Sequence, residues 1–210
     1  MAYIYMDESW DLGFSEKTWA SKYFMVTFLI VKQEKDAELL MKNVRKWAIW
    51  KKMKIYWKFF HSHKAPRPVV KRLLDLSSRR DISAMVIIAE KEKIPQKYKW
   101  NVHSFYNYLA GELLDIAQKR WILAKWEKHN FIASRRETNK QLNDEFIKYM
   151  KWKQFDLYKF DYSITTPDQK KWLEVVDAIS FSLEQKYEKR DLELYSVIKN
   201  KIILEKQIFD

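Results

Sequence analysis

Cysteine is absent from the 210 residues of this chain. Disulfides and thiolate metal sites are therefore excluded, and a reducing cytoplasm is the natural compartment. Glycine is nearly absent as well: there are 2, where average usage of roughly 7% gives about 15. No apolar run approaches the roughly 18 residues of a membrane span. The longest, Phe24 to Val31, contains Thr27 and suits a strand. No basic segment leads into an apolar core at the N-terminus, so neither a signal peptide nor a membrane partner is expected. There is no phosphate loop of the Gly-x4-Gly-Lys type, no nucleophile elbow and no dinucleotide fingerprint.

What is present describes a folded globular chain: 47% hydrophobic and 32% charged residues, in a length that suits one domain with a sizeable core. The net charge of +12 is unevenly placed. From Lys42 to Arg80 there are thirteen Lys or Arg against one acid, Asp75. Trp47, Trp50, Tyr56, Trp57, Phe59 and Phe60 are interleaved with them. Basic charge with aromatics is the footprint of a phosphate-rich partner, so nucleic acid is the expected one, with Lys51, Lys52, Lys54 and Lys58 as binding residues. The plainer alternative is a solvated basic helix face.

Periodicity gives strands at 3–8, 22–31, 55–61, 82–89, 129–134 and 155–164. Helices are expected at 35–52, 69–77, 101–119, 139–150, 171–187 and 191–205. Strands alternating with helices indicate an α/β domain spanning 1–210, with a basic helical elaboration around 35–80.

Acids stand out at three places. Asp7 and Glu8 close the first strand, where two carboxylates need a positive partner, either a metal or a Lys or Arg. Strand alternation sends them to opposite faces, so only one is expected to hold a metal directly. Asp177 lies on an otherwise apolar helical run, on the face of Leu173, Ser180 and Phe181. Glu90 ends the apolar strand 82–89, and ligands of open α/β sheets gather beyond strand ends. Arg135 and Arg136 follow Ser134 and could clamp phosphate oxygens. His61 and His63 would share one face of a strand, a weak metal signal.

The glycine shortage is matched by an excess of tryptophan, 10 residues. Trp10 sits at a strand-to-turn position, where glycine is the usual choice because it accepts positive φ. Some bacteria read the codon UGA as glycine, and a common alternative code reads it as tryptophan. Several tryptophans could therefore be glycines in the source organism; the alternative is a genuinely tryptophan-rich protein.

The segment Tyr5-Met6-Asp7-Glu8-Ser9-Trp10-Asp11-Leu12-Gly13 resembles the opening Y-x-D-E-S-G-D-x-G of the bacterial domain-of-unknown-function family 3800. Lys58 to His61, Met85 to Lys91 and Asn107 to Ala110 resemble its middle. The run Thr166 to Asp177 is similar to its closing G-L-Q-x-A-D-x-x-A and lead-in. The resemblance implies an RNase H-like α/β fold, a mixed sheet flanked by helices. The fold suggests a metal-dependent nuclease or related phosphoryl-transfer enzyme acting on nucleic acid, by analogy. Asp7 and Asp177 would then hold Mg²⁺ or Mn²⁺, with Glu8 or Glu90 as further ligand or water orienter. Trp10 and Trp172 stand where the family has glycine, Tyr56 where it has an acid, and Glu174 where it has glutamine. The alternatives are a non-catalytic nucleic-acid-binding protein and a protein-interaction module on the same fold.

Overall fold

The computed structural model describes residues 1–9, 21–53, 60–135 and 139–209. Lys54, Lys58, Arg136, Tyr56 and Trp10 lie outside the described residues. Among the described residues six strands form one mixed sheet: β1 (Tyr3–Ser9), β2 (Tyr23–Val31), β3 (Ile82–Glu90), β4 (Lys128–Ser134), β5 (Lys159–Thr165) and β6 (Ile202–Ile208). Their order is β5-β4-β1-β2-β3-β6. The meander β1-β2-β3 is antiparallel, while β4 joins β1, β5 joins β4 and β6 joins β3 in parallel.

Among the described residues seven helices cover the two faces: α1 (Asp36–Trp50), α2 (Arg67–Ser78), α3 (Gln96–Lys99), α4 (Val102–Lys119), α5 (Lys140–Lys153), α6 (Trp172–Lys189) and α7 (Glu193–Ile198). Alternation along β1 divides the core. Tyr5 packs with α1, α2, α6 and α7, whereas Ile4 and Met6 pack with α4 and α5. The central strands β2 and β3 are buried on both faces, which explains their nearly unbroken apolar sequence. Gly111 lets α4 lie close to α5, since a Cβ there would meet Tyr149 Cε1 at 2.7 Å.

Two expectations need correction. Residues 191–205 are not one helix: α7 stops at Ile198, a 3-10 turn follows, and Ile202 starts the edge strand β6. Its Glu205 accepts hydrogen bonds from Lys186, Tyr187 and Tyr195, which tie it to α6 and α7. The expected strand 55–61 lies mostly outside the described residues. Where the chain is described again, Phe60 and His61 are not strand and Ser62 to Lys64 form a turn, so the two imidazoles do not share a strand face. Among the described residues no helix is long and apolar enough to cross a membrane.

The basic stretch is partly neutralised, by acids both inside and outside it. Arg67 pairs with Asp191 and Glu193, Lys71 with Glu193, and Arg72 and Arg79 with Asp75. Much of the charge on α2 thus joins α2 to the segment around α7 instead of facing a partner.

Candidate active site

Tyr5 faces α6, so two residues on Asp7 faces α6 as well, and Glu8 faces the side of α4. On α6 an acid, Asp177, is half-buried against this face of the sheet. The two carboxylates feel each other. Burial raises Asp7 well above the ordinary carboxyl range, the charges of Glu8 and then Asp177 push it further, and a hydrogen bond from the Ser134 side chain opposes them. Asp177 is also raised by burial, against hydrogen bonds from Ser62 and the charges of His61 and His63. Desolvation plus mutual repulsion is what a cation between the two would relieve.

Each acid is held from an element remote in sequence. Ser134 ends β4, the parallel neighbour of β1, and its place in the register brings it beside Asp7. Ser62 donates both its N–H and its Oγ to Asp177 Oδ2, each at 2.8 Å. Neither serine was legible as a site residue in the sequence. Ser62 belongs to a short segment fastened along α6. The Phe60 N–H reaches the buried Glu174, and His63 Nε2 lies 2.9 Å from Oε2 of the buried Glu184. His63 also packs edge-on against Phe181, at 4.7 Å between ring centres.

The donor set suits a hard cation. Asp177 Oδ2 is taken by Ser62, and among the described residues no hydrogen bond reaches Oδ1. Among the described residues two buried hydroxyls border the pair without hydrogen-bond partners: Thr27, directly across from Asp7 on β2, and Ser180, one turn beyond Asp177. Leaving a buried hydroxyl unsatisfied costs about 1–3 kcal/mol, which a hydrated ion would offset. Mg²⁺ is commonly held by one or two carboxylates with substrate oxygens completing the shell. Among the described residues no group of three or more His, Cys, Asp or Glu converges on one metal.

The other expected residues divide. Arg135 is exposed next to Ser134, at the same sheet edge as Asp7, and its N–H bonds Thr165 O at 2.7 Å. Glu90 does not join the pair. The register Asp7–Thr27–Val86 leaves it four residues further along β3, roughly 13 Å by strand rise, where it pairs with Lys93 at 3.1 Å. Lys51 caps α1 and lies over the Trp50 ring, and Lys52 takes a left-handed φ of 54° just beyond it.

Trp172 departs from expectation. It begins α6 with no left-handed φ, its indole is buried, and its Nε1–H reaches Gln33 O at 3.2 Å and Glu34 O at 3.0 Å. The backbone makes no demand for glycine there.

No protein-family model and no curated protein matches the chain. Solved structures match over most of its length. RNase HII from Archaeoglobus fulgidus, seen in its complex with PCNA, superposes with a TM-score of 0.54 at 8% identity, over 90% of this chain and 76% of its own. The ribonuclease H2 from Pyrococcus horikoshii OT3 gives 0.53 at 10% identity, over 94% of this chain and 78% of its own. These likenesses, with the mixed six-stranded sheet and its flanking helices, establish an RNase H-like α/β fold.

Proposed function

We propose that the protein is a metal-dependent nuclease, or a related phosphoryl-transfer enzyme, acting on nucleic acid in the cytoplasm. The observation that carries this reading is that β1 and α6, packed against each other, bring Asp7 and Asp177, far apart in sequence, to one face of the sheet, where burial disfavours the charge on both. The fold shared with two ribonucleases supports it, as does the resemblance to family 3800. Asp7 and Asp177 would hold Mg²⁺ or Mn²⁺. The cation supplies Lewis-acid polarisation of a phosphodiester oxygen and a more acidic bound water. Ser134 and Ser62 fix the two carboxylates, so that little reorganisation is needed on binding. Arg135 offers a guanidinium to a neighbouring phosphate. Glu8 faces the other side of the sheet, and Glu90 has no part in this arrangement.

A non-catalytic nucleic-acid-binding protein is the second reading. It is favoured by the lack, among the described residues, of a third acid or imidazole converging with Asp7 and Asp177. Incubating the protein with labelled single-stranded DNA, RNA and an RNA–DNA hybrid, with Mn²⁺ and with chelator, separates the two. Cleavage that needs the metal supports the enzyme. Salt-sensitive binding without cleavage supports the binding protein. A protein lacking both activities would be an interaction module.

A further inference from the structure

A groove of about 340 Å³ runs beside α1 at the start of α6, floored by Met41 and lined by Lys42, Arg45, Lys46 and Lys171, with Glu38 at its rim. The cations fall at positions 42, 45 and 46 of one helix, so helical spacing stacks them along a single face. Lys42 and Lys46 are exposed, and among the described residues neither has an acidic partner, unlike the arginines of α2. Arg45 and Lys171 flank the buried Glu174, at 3.7 Å and 2.8 Å. Arg45 turns its solvent-sequestered Nη2 toward this acid, and the rest of its partly exposed guanidinium faces the groove. Lys171 is fixed by Glu174 and by Pro167 O at 3.2 Å, so Glu174 holds two cations at the groove wall.

We propose that this groove binds the phosphate backbone of a nucleic-acid strand. Its placement relative to the carboxylate pair rests on the nuclease reading. Lys171 precedes Asp177 by six residues, about 9 Å along the helix axis. Six residues also turn about a third of the way around α6, so the groove takes a phosphate further along the strand than the one at Asp7 and Asp177. These residues differ from Lys51, Lys52 and Arg135. They form a second point of contact that fixes the strand's direction across the site.

The test is fluorescence anisotropy with labelled single-stranded and duplex oligonucleotides, titrated at several salt concentrations. The double variant Lys42→Ala, Lys46→Ala should lower the slope of log affinity against log salt by about one for each lysine removed. A control pair on the opposite side of the sheet, Lys148→Ala with Lys151→Ala on α5, should leave it unchanged. An unaltered slope in the first variant, or an equal loss in the control, would overturn the groove. The two readings fail separately. A reduced slope in a protein that cleaves nothing keeps the groove and removes the nuclease, and cleavage with an unmoved slope does the reverse.

A different observation carries a second inference. Trp121 and Trp126 have left-handed φ of 58° and 64°, and their side chains are 62% and 71% exposed. Trp121 follows the C-cap of α4, where its N–H bonds Gln118 O at 3.2 Å and the Ile122 N–H bonds Ala117 O at 3.1 Å. That pair of bonds defines the helix ending whose left-handed residue is usually glycine. Tryptophan is normally among the more buried residues, and its Cβ disfavours this conformation. No described glycine has a positive φ. We infer that positions 121 and 126 are glycine in the protein made by its source organism, through UGA codons read as glycine. The test is the genomic codon at each position together with the mass of the peptide spanning both, from natively produced protein. UGA codons with a peptide lighter by two tryptophan-to-glycine differences are expected. A UGG codon at either position, or tryptophan in the native peptide, would overturn the inference.

Discussion

Ser62 commits one oxygen of Asp177 and, among the described residues, the other accepts no hydrogen bond. Its N–H and Oγ both reach Oδ2 at 2.8 Å, across 115 positions of sequence. A hydrogen bond to a charged group is worth about 1.5–3 kcal/mol, and about 1.4 kcal/mol is tenfold in affinity. Ser62→Ala should therefore weaken Mn²⁺ binding about tenfold while Ser62→Thr largely restores it. Calorimetric titration of the metal is the direct check. Equal affinity in all three proteins would remove Ser62 from the site.

Asp7→Asn should make the metal-free protein more stable at neutral pH. The folded carboxyl is raised above its unfolded value, so between the two the folded state binds more protons and stability falls as pH rises. Removing the charge removes that loss. Denaturant unfolding across the acid-to-neutral range should show the gain of the variant appearing as pH climbs above about 4 and persisting at neutrality. A variant less stable than the parent at pH 7 would contradict the electrostatic strain assigned to Asp7.

His63 gives the same slope with pH, but from a contact that favours its charged form. The hydrogen bond with Glu184 raises it first of all, burial opposes, Asp177 adds to the rise and Lys189 works against it. Its stabilising share is fully present below about pH 6.5 and is lost as pH rises through the folded value. In Glu184→Gln the imidazole should titrate at lower pH by NMR, and this part of the pH dependence should flatten. An unchanged His63 titration would rule out the pairing in solution.

Trp121→Gly should stabilise the fold by about 1 kcal/mol through relief of the left-handed Cβ, net of the Lys125 side chain now lying over the indole. Trp121→Ala keeps the Cβ and should not match that gain. Denaturant midpoints of the three proteins decide it. Equal stability of the glycine and alanine variants would show that the turn imposes no such strain.

Local pattern revealed what local chemistry dictates. The apolar run in β3, the stripe Ala37, Leu40, Met41, Val44 and Ala48 in α1, and the alternation that sends Asp7 and Glu8 apart were all legible in the sequence. Partners distant in sequence were not. Nothing around Ile202 announces a parallel partner at Ala84, so the end of the chain read as helix. Ser62 and Ser134 carry no motif, because their roles come from where the 60–63 segment and β4 are packed. Glu90 looked equivalent to Asp7 as an acid at a strand end, and only the register separates them. The charge of the 42–80 stretch overstated its surface potential, since acids at 191 and 193 neutralise part of it.

The most direct test of the carboxylate pair is Mn²⁺ titration by calorimetry of the full chain, with and without an oligonucleotide, alongside Asp7→Asn and Asp177→Asn. The expected result is saturable binding to the parent, tighter with nucleic acid present, weakening as pH falls and lost in both variants. Mn²⁺ binding that persists in both variants, or no binding to the parent even with nucleic acid, would contradict the assignment of Asp7 and Asp177 as the metal site.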